Sequence, residues 1–156
     1  MSSGVLVAVG SYDPPKKKSE KFQEGVWTDI QEVPVVNRLS NYAVIFDAGN
    51  FYYFGGYDGS GISSSILRLN AASWTWSFVG TLNSPRVNHG VILVENTIMV
   101  IGGTDYTLYY KLNSRLPIEV CLLNNGQLNC EEKTSSLTDN FHTPLLFVVS
   151  NSFGLC

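Results

Sequence analysis

The sequence predicts an all-β chain built from repeated, four-stranded antiparallel units, and three observations predict it. Sequence landmarks recur with a step of about 47 residues. Apolar residues fall in short runs and alternations separated by turn-forming clusters rich in Gly, Asn, Asp and Ser. No segment places helix start and stop signals around apolar residues at helical spacing.

The landmarks start from a double glycine. In Tyr52-Tyr53-Phe54-Gly55-Gly56-Tyr57-Asp58 an apolar run enters two glycines and then an aspartate. Met99-Val100-Ile101-Gly102-Gly103-Thr104-Asp105 repeats that shape 47 residues later, and Val7-Ala8-Val9-Gly10-Ser11-Tyr12-Asp13 precedes it by 45. Tyr42 and His89 open equivalent runs 47 apart, Trp27 and Trp76 are 49 apart, and His142 gives a fainter third copy of the Tyr42 position. The whole chain, 1–156, reads as one repeat region with units near 5–41, 42–88 and 89–150 and a tail at 151–156.

Within the middle unit, Tyr42–Phe46 is a strand, Asp47–Asn50 a turn and Phe51–Phe54 a second strand. Ser65–Leu69 is a third strand, Asn70–Ser73 a turn and Trp74–Val79 a fourth. Four short strands in about 47 residues is the arithmetic of a β-propeller blade. In the first unit, Lys16-Lys17-Lys18 follows two prolines and reads as a solvated loop.

The third unit carries a hairpin signal. Asn125-Gly126 between β-rich flanks is the preferred two-residue turn, and counting outward from it sets Cys121 opposite Cys130 at a non-hydrogen-bonded position. Two readings follow: a cross-strand disulfide standing in for this unit's missing tryptophan, or two reduced cysteines packed side by side. An oxidised pair favours a secreted or extracellular setting, a reduced pair the cytoplasm. Cys156 is left odd.

Taken together, Gly55-Gly56, Leu69-Asn70, Trp76, Pro85-Arg86 and His89-Gly90 resemble a kelch repeat. The resemblance covers roughly residues 5–150 and implies a kelch-like β-propeller fragment of four-stranded antiparallel blades. It departs from the pattern at Leu69, at Gly10-Ser11 and in the third unit, which lacks the tryptophan. It implies structural roles for Gly55, Gly56, Gly102, Gly103, Trp27, Trp76, Arg86 and His89. The glycines take positive φ and let an aromatic pack close. Trp27 and Trp76 brace adjacent blades, Arg86 bonds carbonyls between blades, and His89 packs as Tyr42 does.

The chemistry-bearing motifs are absent. With a net charge of −3 and a pI near 5.3, the chain shows no basic face for nucleic acid. No window approaches a membrane span, and Val5–Val9 is too short and lacks the basic flank of a signal peptide. Ile62 stands where a phosphate-binding loop needs its lysine, and the run after it leads into a strand, not the helix of a dinucleotide fold. The Asp and Gly of sialidase turns are missing from Asn70–Trp74, and no clustered His/Cys spacing marks a metal. The sequence therefore points to a non-catalytic protein-interaction module with no cofactor and no metal. The alternative is a fragment of a propeller enzyme, a copper oxidase or glycan hydrolase, whose active site lies on missing blades. Three blades do not close a ring, so self-association or the remaining blades of a longer chain would complete it.

Overall fold

Five hairpins give the molecule its layout, each closed by a turn that residues with positive φ make possible. The computed structural model describes residues 4–10, 17–105 and 116–133, together with Pro144 and Leu146. Ser11–Asp13, Lys16, His142, Cys156 and most of the run at 143–149 lie outside the described residues. Strands β1 (Leu6–Val9), β2 (Ser19–Gln23) and β3 (Val26–Asp29) form a three-stranded antiparallel sheet in chain order. Strands β4 (Ala43–Asp47), β5 (Asn50–Phe54), β6 (Ser65–Asn70) and β7 (Thr75–Thr81) form a four-stranded antiparallel meander. A second meander follows in β8 (Gly90–Val94), β9 (Thr97–Ile101), β10 (Ile118–Asn124) and β11 (Gln127–Lys133). Among the described residues there is no helix.

The turns explain where the strands stop. Glu24-Gly25, Ala48-Gly49 and Asn125-Gly126 are two-residue loops in which both residues have positive φ, the type I′ geometry that matches strand twist. The β6–β7 turn is held differently. The Asn70 side chain accepts from the amides of Ala72 (3.0 Å) and Ser73 (2.9 Å), so the chain reverses without exposing bare donors.

The two meanders meet along their outermost strands, where β7 and β11 run parallel over two residue pairs, Gly80 with Leu128 and Thr81 with Asn129. A register shift between Ile66 and Leu67 leaves Val79 as an extra residue on β7. This bulge swings Val79 into the core and aims Gly80 at β11. Any side chain at residue 80 would collide with the Leu128 carbonyl, so only glycine permits the approach.

β5, inside the β4–β7 blade, is apolar on both faces because both are covered, which is why it reads as an unbroken apolar run. One face carries Tyr53, Leu67, Leu69 and Trp76 and packs on Val33, Leu39, Val7 and Val9 from the preceding sheet and linker. The other carries Tyr52, Phe54, Ile66 and Val79 and packs on Ile98, Val100, Cys121 and Leu128 of the next blade. Successive units thus stack face to face, the arrangement of a partial β-propeller.

Cys121 and Cys130 are paired across β10–β11 and joined in a disulfide with a Cα separation of 4.0 Å. Cys121 pairs with Ile98 as Leu69 pairs with Phe51, so Cys130 stands where the preceding blade has Trp76. The sulfurs replace the indole as the link between the two outer strands. Trp27 departs from the bracing role expected of it. It lies on the face of the first sheet that looks away from β4–β7, and among the described residues nothing buries it. It stays 49% exposed beside Phe22, with ring centroids 5.2 Å apart.

Reduction should lower stability by about 2–3 kcal/mol, the loop-closure value for a short cross-link. Urea unfolding with and without a thiol reductant measures this, and peptide mapping under non-reducing conditions should return the Cys121 and Cys130 peptides linked.

Candidate functional site

The segment after β7 enters the next blade as Asn83-Ser84-Pro85-Arg86, and Arg86 is completely buried there. Its Nη2 donates to Glu119 Oε1 at 2.6 Å and to the Pro117 carbonyl at 3.1 Å. Nη1 donates to the Gly102 carbonyl at 3.2 Å and Nε to the Ser84 carbonyl at 3.3 Å. Glu119, equally buried, also accepts from the amides of Asn83 (2.7 Å) and Ser84 (3.1 Å). Every lobe of this ion pair is therefore answered, as burial requires. Burial lowers the pKa of Arg86 and the adjacent Glu119 carboxylate opposes that shift.

The same place one unit earlier is filled by hydrocarbon. Leu39 stands 47 residues before Arg86 and lays its carbonyl against Gly10 as Arg86 lays its own against Gly55. Leu67 pairs with Tyr53 as Glu119 pairs with Val100. Leu39 and Leu67 share the apolar cluster that includes Trp76. The junction between units accepts either a leucine pair or an arginine–glutamate pair.

The glycine pairs sit against these entering segments. Gly55 and Gly56 have φ of 56° and 90°, and Gly102 and Gly103 have 72° and 85°. A Cβ on Gly56 would lie 3.0 Å from the Tyr42 Cβ, and one on Gly103 would lie 2.8 Å from the His89 Cβ. Residues 42 and 89 thus rest on the second glycine of their own unit. Each also turns toward the preceding unit: the Tyr42 hydroxyl donates to the Val9 carbonyl at 3.1 Å, and His89 faces the carbonyl of Phe54. Neither ring nitrogen of His89 completes a hydrogen bond of good geometry. Desolvation, and then the charge of Arg86, lower its pKa to about 3. His89 is a neutral packing residue at neutral pH. Trp76 is pinned through Gln31, whose carbonyl accepts from Nε1 at 2.9 Å and whose side-chain oxygen accepts from the Trp76 amide at 2.6 Å.

One region open to a ligand lies on the loops. The segment 55–64 and the linker before β4 are stitched together: the amides of Asn37 (3.0 Å) and Arg38 (3.1 Å) both donate to the Asp58 carbonyl. Ser40 and Tyr57 exchange two backbone bonds. The Asp58 carboxylate accepts from the amides of Ser60 (2.8 Å) and Gly61 (3.0 Å) and from the Ser60 hydroxyl (2.7 Å). Burial works against its ionisation, but these bonds outweigh it and hold the pKa below the usual carboxylate value. The amides that a phosphate would need are thus already taken by a side chain. Beside them the Arg38 guanidinium lies 5.1 Å over the Tyr57 ring. A cleft of about 410 Å³ opens between this linker and the end of β1, lined by Val9, Gly10 and Arg38–Tyr42.

Residues 38–83 match the family model of the kelch motif. This is a kelch-repeat chain. It is 31% identical over 110 residues to a camelpox virus (strain CMS) protein named Kelch repeat and BTB domain-containing protein 1, which is 66% of this chain and 19% of the relative. The cowpox virus (Brighton Red) protein of the same name is 30% identical over the same shares. The ectromelia virus (Moscow) protein of that name is 32% identical over 90 residues, 55% of the chain and 16% of the relative. The kelch chain spans about a fifth of the length of the curated relatives it matches.

The kelch blades bring Gly55, Gly56, Arg86, His89, Gly102 and Gly103 together at one junction. Trp76 lies in the apolar cluster on the other side of its blade, and Trp27 lies apart. Sequence reasoning missed Glu119, Gln31 and Arg38. Glu119 carried a signal, since an acid within Ile118–Cys121 occupies a position that is leucine in the preceding unit. Gln31 and Arg38 lie in a linker that no pattern singles out. Among the described residues no group of three or more His, Cys, Asp or Glu side chains is placed to hold a metal ion.

The junction can be probed in two ways. Arg86→Leu or Glu119→Leu alone should cost about 3–5 kcal/mol, because each strands a buried charge. The double variant should cost less than either single one, since a leucine pair already fills the equivalent junction; denaturant unfolding of all four proteins tests this. For His89, the unfolded chain takes up a proton near pH 6.5 and the folded chain only near pH 3, so stability should fall on acidification between those values. The slope should approach ~1.4 kcal/mol per pH unit. His89→Tyr, which copies the residue at position 42, should remove that part of the pH dependence in the same unfolding measurements.

Proposed function

We propose that this chain is a protein-interaction module of the kelch type that engages a peptide or protein segment through the loop surface formed by 37–42 and 55–64. The observation that carries this reading is the division of labour in the molecule. The centre of each face of the β4–β7 blade is taken up in packing, with Val44, Phe46 and Phe78 left partly exposed, while the cleft lined by Arg38–Tyr42 stays open on the loops. Arg38, set over Tyr57 and backed by an anchored backbone, places a guanidinium and an aromatic ring side by side at the cleft, the residue types that dominate binding energy at interfaces. The relatives' names join kelch repeats to a BTB domain, which supports an interaction role. The Cys121–Cys130 disulfide supports work in an oxidising compartment.

Selection of a displayed peptide library on the immobilised chain tests the surface. Enriched peptides should lose affinity by at least about tenfold, ~1.4 kcal/mol, on Arg38→Glu without a change in unfolding midpoint. Peptides that bind Arg38→Glu as well as the parent chain would place the surface elsewhere.

A further inference from the structure

We propose that the outer rim of the junction between the first and second units is a second docking site, a pocket for one large apolar side chain carried beside a lysine or arginine on a partner protein. The pocket has a volume of about 270 Å³. Leu67 and Trp76, both buried, form its floor. Val36 and Phe78 stand at its rim, 68% and 55% exposed.

The next junction closes the same space with residues of its own. Asn83 and Ser84 stand 47 residues after Val36 and Asn37, and Glu132 pairs with Glu119 as Phe78 pairs with Leu67. There the Asn83 side chain donates to the Cys130 carbonyl at 2.9 Å and the Ser84 hydroxyl to Glu132 at 2.9 Å. The Asn83 amide donates to Glu119 at 2.7 Å. In the earlier junction all four places are filled as well, but Leu67 and Phe78 replace the two acids and cannot accept such bonds. The opening thus comes from the side chains present, and no strand of the β4–β7 blade is missing from it. The loop that follows β5 also leaves this kind of place clear: Tyr57 and Asp58 bond Asn37, Arg38 and Ser40, the segment entering their own unit.

The lining selects the occupant. An apolar side chain between Val36 and Phe78 removes both from water, and a large one reaches the Trp76 and Leu67 floor. Among the described residues that line the pocket, Asp58 is the one that carries a charge. The bonds it accepts from Ser60 and Gly61 all go to Oδ1, which leaves Oδ2 to face a cation and sets the pocket against an acidic segment. Among the described residues the Val36 amide has no acceptor, and a backbone carbonyl of the segment supplies one. The pocket takes Pro34–Val36 from the linker and the cleft takes Arg38–Tyr42. The two sites share no lining residue, so either can fail without the other.

The test sorts a displayed random peptide library on the immobilised chain by its response to Phe78→Thr. A set of peptides is expected that loses affinity by at least about tenfold on Phe78→Thr, keeps it on Arg38→Glu, and shares a large apolar residue next to Lys or Arg. Val36→Asn, which copies the counterpart residue, should weaken the same peptides, and both variants should keep the parent unfolding midpoint because both side chains are more than half exposed. Rising salt should weaken the binding, as an exposed ion pair requires. The proposal is overturned if no peptide depends on Phe78, if the dependent peptides are acidic, or if their binding ignores salt. Phe78 shielded from hydroxyl-radical labelling in the free monomer overturns it too, since the chain's own residues would then cover the pocket. A concentration-dependent oligomer by light scattering, lost in Phe78→Thr, overturns it in favour of a second copy.

Discussion

The junction between the second and third units depends on one buried ion pair. Arg86 and Glu119 are both fully removed from solvent, where a lone charge of either sign costs several kcal/mol. They are tolerable only together, and only while Asn83, Ser84, Gly102 and Pro117 keep their backbone groups aimed at them. That demand fixes the path of 83–86. With the path fixed, the Arg86 carbonyl meets the Gly56 amide at 2.9 Å, Val87 and Thr104 exchange two bonds, and His89 is laid on Gly103. The entry of the third blade is set by electrostatics as much as by apolar burial.

The equivalent junction one unit earlier uses Leu39 and Leu67, and this contrast separates geometry from chemistry. Both junctions bring the entering carbonyl against a glycine after the preceding β-run, so the backbone answer is the same. A leucine pair satisfies it by filling space, and an arginine–glutamate pair satisfies it by mutual neutralisation. The second solution ties more partners to one place, because a guanidinium can bond three carbonyls that a leucine would leave to other donors. It is correspondingly less tolerant of losing either member. The tandem-repeat architecture thus holds a uniform shape without uniform side chains.

That is also why the repeat was legible in the sequence and the side-chain network was not. Double glycines mark places where a Cβ cannot fit, a constraint no neighbour can relieve, so Gly55-Gly56 and Gly102-Gly103 recur in the letters themselves. The Asn125-Gly126 turn fixed the pairing of Cys121 with Cys130 because a two-residue hairpin admits only one register. The pairing of Glu119 was not legible because its partner lies 33 residues away, although an acid where the other unit has leucine sets the position apart. Trp27 shares the repeat spacing of Trp76 without sharing its bracing role. Spacing determines which face a side chain points to, and it does not determine whether anything covers that face. Trp76 has Gln31 and Val33 in front of it, while Trp27 points away from the only neighbouring blade described.

The stretch Tyr57–Gly61 shows how local satisfaction decides between binding and building. Glycine-rich turns bind anions when their amides point at an unfilled space. Here the Asp58 carboxylate occupies that space and turns the amides of Ser60 and Gly61 inward, while its carbonyl draws in Asn37 and Arg38. The loop is therefore rigid and electrically self-contained. Its use is to hold the next segment still: Arg38 is set over Tyr57 at the rim of the cleft by bonds that belong to its neighbours. Recognition at this surface then rests on side chains whose backbone has been immobilised in advance, which lowers the ordering cost that a partner must offset on binding.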